Sequence, residues 1–170
     1  MGGEAKEFYE RGIRNAYIED PMNINNSQYA NLIDEYIELE KAVDYVNIDP
    51  IGDGEPWQSV TKIGVKWNDT DDNERKLEKI ITQKYIALFP LSTEAWTEMR
   101  RTGYPKMFPV LNANDGDGSI KQGDMIRRIP WYINMFEYDI TYMKYFSFTI
   151  LGGANTQAQR LWWDVDVPNF

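Results

Sequence analysis

The sequence predicts a mostly all-α protein, an irregular helical array with long ordered loops and little sheet. Three observations carry this expectation. Apolar residues recur at the i, i+3, i+4, i+7 spacing in five separate segments. Pro and Gly cluster between those segments and scarcely inside them. Strict apolar/polar alternation is confined to one weak stretch, Ser59 to Trp67. At 170 residues the chain has the usual size of one domain, so residues 1–170 are expected to form a single unit.

The first helix is expected over residues 4–19. There Ala5, Phe8, Tyr9, Gly12, Ile13, Ala16 and Tyr17 share one face, and Asp20-Pro21 closes the segment. Ser27 is suited to cap a second helix whose stripe is Tyr29, Leu32, Ile33, Tyr36 and Ile37, with an end expected near Ala42. From Val43 to Asn68 the periodicity disappears, and Pro50, Gly52, Gly54 and Pro56 indicate an ordered loop. Asp71 to Glu74 has the D-x-x-E form of a capping box and opens a helix striped by Leu77, Ile80, Ile81, Tyr85 and Leu88. After Phe89-Pro90, Ser92 can cap a short helix that buries Ala95, Trp96 and Met99, with Arg100 and Arg101 at its negative end and Gly103 at C′. Residues 104–134 read as a long irregular excursion. Tyr138 to Leu151 is again helical in pattern, stopped by Gly152-Gly153, and the Trp-rich tail at 161–164 is expected to be pinned by packing.

Composition excludes several functions. With 27 acidic and 18 basic residues the net charge is -9, which disfavours a grip on phosphate backbones, so nucleic acid is not an expected partner. The chain has 0 His and 0 Cys, which removes the usual general base, His-dependent triads, thiolate nucleophiles and thiolate zinc sites. Two-carboxylate glycoside hydrolysis needs only acids, and Glu94, Glu98, Asp115 and Asp117 are available, but in so acidic a chain availability carries little weight. The chain is therefore expected not to be an enzyme. No apolar run reaches the roughly 20 residues that span a bilayer, and Met1-Gly2-Gly3-Glu4 has neither a basic leader nor an apolar core.

Two patterns point to binding. Aromatic content is 14%, with 6 Trp and 11 Tyr. Trp57, Trp67, Trp131 and Tyr132 fall in expected loops, where a ring face can stack on a sugar while Asn68, Asp69, Arg127 and Arg128 bond its hydroxyls. The alternative is that each ring anchors its loop to the core; Trp96, Trp162 and Trp163 are assigned to packing outright. Residues 112–124 have EF-hand-like spacing, with Asp115, Asp117, Ser119 and Asp124 as candidate calcium ligands. The first ligand position is Ala113 and the last is Asp instead of Glu, so an acidic Gly-rich turn stands as the alternative. No other cofactor is expected.

One stretch ties these readings together. Residues 81–89, ITQKYIALF, followed by EAW-x-E-x-RRTGYPK-x-FP at 94–109, with LGG at 151–153 and WWD at 162–164, resemble the SusD/RagB-like nutrient-binding lipoproteins of Gram-negative outer membranes. Phe8 to Ile13 resembles the helix that opens the C-terminal half in that family, and Gly64 to Asn68 the link before its next helix. Arg127-Arg128-Ile129-Pro130 is similar to the family's Arg-Arg-Leu-Pro-Tyr-Pro segment, but here Trp131-Tyr132-Ile133 follows the Pro. That departure leaves the contact residues of the loop open.

The resemblance implies the C-terminal part of a longer SusD-like fold, with the helical-repeat half, signal peptide and lipid-carrying Cys upstream. It further implies surface exposure at the outer membrane, partnership with a SusC-like TonB-dependent transporter, and capture of oligosaccharides or other nutrients. The alternative is a structural half that packs on the upstream repeats or on the transporter without touching ligand.

Overall fold

A computed structural model describes residues 4–19, 26–42, 46–47, 57–108, 118–121, 123–131, 139–150, 152–164, 166 and 169. The chain is mostly helical, as expected, and forms two compact units: Met1–Met107 with Pro168–Phe170, and Phe108–Val167. The first unit contains α1 (Ala5–Glu19), α2 (Asn26–Ile37), the two-residue strands β1 (Val46–Asn47) and β2 (Trp57–Gln58), α3 (Asn73–Ala87) and α4 (Ser92–Thr102).

Its core forms where the apolar stripes of α1 and α2 meet the loop before α3. Tyr9 and Ile13 pack with Ile33, Ile37, Val65 and Trp67, flanked by Tyr36 and Leu39. Full burial of such side chains contributes roughly 1.5–3 kcal/mol each. Polar tips are satisfied inside this core: the Tyr9 hydroxyl donates to the Val65 carbonyl at 2.7 Å and the Tyr36 hydroxyl to Gln83 Oε1 at 2.8 Å, which ties α2 to α3. Burial, with Tyr36 and Glu10 nearby, raises the Tyr9 phenol well above its ordinary value. Burial likewise raises Tyr36, although its bond to Gln83 acts in the opposite direction.

α2 stops at Ile37, short of the end expected near Ala42. The reason is that the chain after Ile37 pairs with residues 63–66 instead of continuing the helix. The Leu39 carbonyl accepts from both Val65 N at 2.8 Å and Lys66 N at 2.9 Å, and Lys41 pairs with Ile63 in an antiparallel bridge. Gly64 is required at this crossing: a Cβ there would lie 2.2 Å from the Glu40 carbonyl carbon. The expected loop over 43–68 also contains a small ladder, in which Val46 faces Gln58 and Asn47 faces Trp57.

The cap of α3 lies one residue later than the sequence pattern suggests. Asp72 is the N-cap and its carboxylate accepts from Arg75 N at 2.7 Å. Asp71 instead faces inward, where it meets the Lys79 ammonium at 2.6 Å; that ammonium also donates to the Lys66 carbonyl at 2.5 Å. α4 begins at Ser92 with no side-chain cap, and it ends at Gly103, whose φ of 75° is the left-handed conformation that favours glycine. Near the C-terminus Asn169 returns to this unit, with its N–H on Glu74 Oε1 at 2.5 Å.

The second unit contains α5 (Ile140–Tyr145), capped by Asp139 through Tyr142 N and continuing as a π-helical turn over Phe146–Ile150. Met143 and Ser147 are its buried positions, and Gly153 N closes the end on the Ser147 carbonyl at 3.0 Å. Among the described residues no helix is long and apolar enough to cross a membrane.

Candidate functional site

The second unit brings three expected site residues into one hydrogen-bonded arrangement. Arg127 N and Arg128 N both donate to the Gln157 carbonyl, at 2.9 and 3.3 Å, which lays the 127–131 segment against the loop that follows the π turn. Asn155 in that loop then holds the segment. Its Oδ1 accepts from Trp131 N at 2.8 Å and from Arg128 Nη2 at 2.7 Å, and its Nδ2 donates to the Trp131 carbonyl at 3.1 Å. The Trp131 backbone is thereby bonded on both its N–H and C=O sides by one amide side chain.

The half-buried Trp131 ring has the Arg128 guanidinium 5.4 Å from its centroid and Phe146 edge-on at 6.2 Å. Arg128 is buried, and among the described residues no carboxylate pairs with it. Desolvation accordingly lowers its affinity for a proton. Arg127 turns the other way, donating through Nε at 2.8 Å and through Nη2 to the fully buried Asp164, which also accepts from Arg160 Nη1 at 2.8 Å. An aromatic ring on a fixed backbone beside guanidinium and amide donors is suited to stack on a sugar ring and bond its hydroxyls.

The remaining expected residues belong to the first unit or fall outside the described residues. Trp67 is buried, with its ring 5.1 Å from Tyr9 and its Nε1 donating to Asp69 Oδ1 at 2.8 Å, so it has no open face for a ligand. Asn68 Oδ1 accepts from Thr70 N at 3.0 Å and Thr70 Oγ1 at 2.8 Å, which engages it in the turn before α3. Trp57 lies in β2, but its side chain is outside the described residues, as is Tyr132. Of the candidate calcium ligands, Asp115 and Asp117 are also outside them. Ser119 Oγ accepts from Ala158 N at 3.2 Å, and the exposed Asp124 accepts from Lys121 N at 3.4 Å.

Two carboxylates weighed as catalytic candidates are engaged in ion pairs. Glu94 meets Lys84 at 3.2 Å, while Glu98 meets Lys84 at 3.0 Å and Arg101 at 2.6 Å. Burial alone would raise the Glu98 carboxyl, but the bonds from Arg101 and Lys84 outweigh it and hold the group below the usual carboxylate range.

Two features of this region escape sequence reasoning. Asn155 is 24 residues from Trp131, in a Gly/Asn/Thr stretch that reads only as a loop. Trp162, assigned to packing from the sequence, instead exposes 87% of its surface, because the turn that carries it directs Asp164 inward and the indole outward. Trp96, expected to be buried, is half-buried, with the Arg100 guanidinium 3.5 Å from its ring centroid.

Comparison with known proteins accords with this architecture. The family model described as "SusD-like: Susd and RagB outer membrane lipoprotein" matches residues 1–164. The chain belongs to the SusD-like family. Among solved structures it is similar to a chitin-binding SusD homolog from Flavobacterium johnsoniae, at 36% identity and a TM-score of 0.79 over 99% of this chain and 33% of that one. It is also similar to a SusD homolog from Bacteroides uniformis, at 32% identity and TM-score 0.81 over 96% of this chain and 32% of that one. A SusD homolog from Bacteroides vulgatus matches at 36% identity and TM-score 0.78 over 100% of this chain and 32% of that one. The chain thus spans about a third of the length of these relatives. No curated protein sequence matches it.

Proposed function

We propose that this chain is the C-terminal part of a surface nutrient-binding lipoprotein and captures oligosaccharides for import, without catalysis of its own. The observation that carries the reading is Trp131, held by Asn155 on both sides of its backbone with the Arg128 guanidinium over its ring. Membership of the SusD-like outer-membrane lipoprotein family supports it, as does the similarity to a homolog described as chitin-binding. On this reading Trp131 and Arg128 contact the cargo, with Tyr132 as a further ring of the same unit, while Arg127 braces the segment through Asp164. A SusC-like TonB-dependent transporter receives the cargo, and the lipid anchor lies in a part of the protein outside this sequence.

The test is an oligosaccharide array followed by titration of the best ligand while Trp fluorescence is read. Saturable binding that weakens on Trp131→Ala supports the reading; no binding by the well-folded chain to any member of a broad panel sinks it. Calcium in the 112–124 loop stands beside the alternative of an acidic Gly-rich turn, and a melting temperature indifferent to chelator would leave the turn.

A second reading, an interface that packs on the rest of the protein or on the transporter, has its own observation. Ile86, Phe89 and Leu91, around the α3–α4 turn, expose 55%, 70% and 64% of their surfaces. Solvent-exposed apolar side chains in one turn are what such an interface requires.

A further inference from the structure

Trp162 is more exposed, at 87%, than any other large apolar side chain among the described residues. Large aromatics are usually mostly buried, yet among the described residues this one is left almost uncovered. The turn beneath it is well anchored. Asp164 N donates to the Leu161 carbonyl at 2.9 Å, and the Asp164 carboxylate, with no exposed surface, is gripped by Arg127 and Arg160. Arg127 is in turn fixed through its own N–H on the Gln157 carbonyl at 2.9 Å. The indole therefore projects from a braced base, and a ring displayed in this way loses little freedom when a ligand covers it.

The chemistry around the turn narrows the ligand class. Arg160 bonds Asp164 through Nη1 and meets Asp166 through Nη2 at 3.1 Å, leaving its side chain 36% exposed and that of Asp166 87% exposed. Two guanidinium groups, from Arg127 and Arg160, stand against two carboxylates, from Asp164 and Asp166, so the turn is formally neutral within a chain of net charge -9. It offers a flat apolar face, a hydrogen-bond donor and an acceptor. That set matches a ligand with an apolar face, adjacent hydroxyls and no charge. A protein partner would call for a continuous apolar patch, whereas the exposed groups of this turn beside the indole include the charged Arg160 and Asp166.

We propose that Trp162, with Arg160 and Asp166, is an additional glycan-contact point that takes one neutral hexopyranose ring, stacking on the ring face that carries its C–H bonds. This rests on the glycan-capture reading above, and the experiment separates the two. The full chain, Trp162→Ala and Trp162→Phe are titrated with cellohexaose, chitohexaose, maltohexaose and an oligogalacturonide, while acrylamide quenching of Trp fluorescence is followed with and without ligand. Because the side chain is exposed, both variants should keep the wild-type circular dichroism and melting temperature.

The expected result is that Trp162→Ala weakens the tightest neutral oligosaccharide by about tenfold and Trp162→Phe by less. The quenching attributable to Trp162, taken as wild type minus the Phe variant, should fall on saturation. Wild-type affinity in Trp162→Ala would overturn this inference and leave glycan capture standing. An indole shielded from acrylamide before ligand is added would overturn it as well, by showing the ring covered by protein. Preference for the oligogalacturonide, lost in Trp162→Ala, would refute the neutral class. Failure of the wild type to bind any of the four, or any member of the wider array, would remove the capture reading and this inference with it.

Discussion

Trp67 and Trp162 have the same side chain and opposite roles: one turns its ring onto Tyr9 in the core, the other exposes 87% of its surface to water. Individual residues in this protein are defined by what reaches them from elsewhere in the chain, and their substitution should show it. Lys79 is the clearest case. Its ammonium is buried against Asp71, so Asp71→Ala leaves a buried charge with only a carbonyl partner and should cost about 3–5 kcal/mol in urea unfolding. The double change with Lys79→Met should recover most of that loss. Tyr9→Phe removes a buried hydroxyl that donates to Val65 and should cost about 1 kcal/mol. The tyrosines also set a pH dependence. Tyr9 and Tyr36 are raised by burial, and Tyr104, desolvated and bonded to Glu74, is pushed up to about 12 from 10.0. The unfolded chain loses these protons first, so above about pH 10 it binds fewer protons than the folded state and stability falls as pH rises. Below that value the contribution is fully present. Urea midpoints taken between about pH 8 and pH 11 should decline, and less steeply in Tyr9→Phe.

At the scale of elements, local pattern placed the helices and the fold adjusted their ends. α1 follows its apolar stripe from Ala5 to Glu19, and α4 ends at Gly103, because periodicity and a left-handed glycine are properties of neighbouring residues. α3 starts one residue later than the pattern suggests, with Asp72 and not Asp71 as its capping carboxylate, since Lys79 draws Asp71 inward. Asp72→Ala should therefore cost about 1 kcal/mol, the usual loss of an N-cap, without disturbing the Lys79 contact. α2 was expected to run to about Ala42, but residues from 63 to 66 claim the chain after Ile37. Gly64→Ala tests that crossing. Its Cβ would meet the Glu40 backbone at 2.2 Å, so either strand of chain must shift, and the midpoint of urea unfolding should drop by the equivalent of about 1–3 kcal/mol. A variant as stable as wild type would show that the crossing is not tight.

For the whole molecule, charge and architecture act together. A net charge of -9 predicts no retention on DNA or heparin columns even at about 50 mM salt, where a basic surface would hold. Retention there would reveal a positive face strong enough to outweigh the total. Fold class, helix positions and the family were legible in the sequence, because they depend on spacing within a turn or two of helix and on short motifs such as residues 81–89 and 94–109. The candidate site was legible only in part. Arg127, Arg128 and Trp131 stand next to one another in the chain, and their residue types suggested binding. Asn155, which bonds both sides of the Trp131 backbone, comes from 24 residues away and carries no local signal. Only the tertiary structure decided that Trp67 is inside, that Trp162 is outside, and that Asp164 gathers two arginines. The physical reason is that helix formation is driven by contacts three and four residues apart, whereas the burial of a ring or the pairing of a charge depends on which distant segments the fold brings to it.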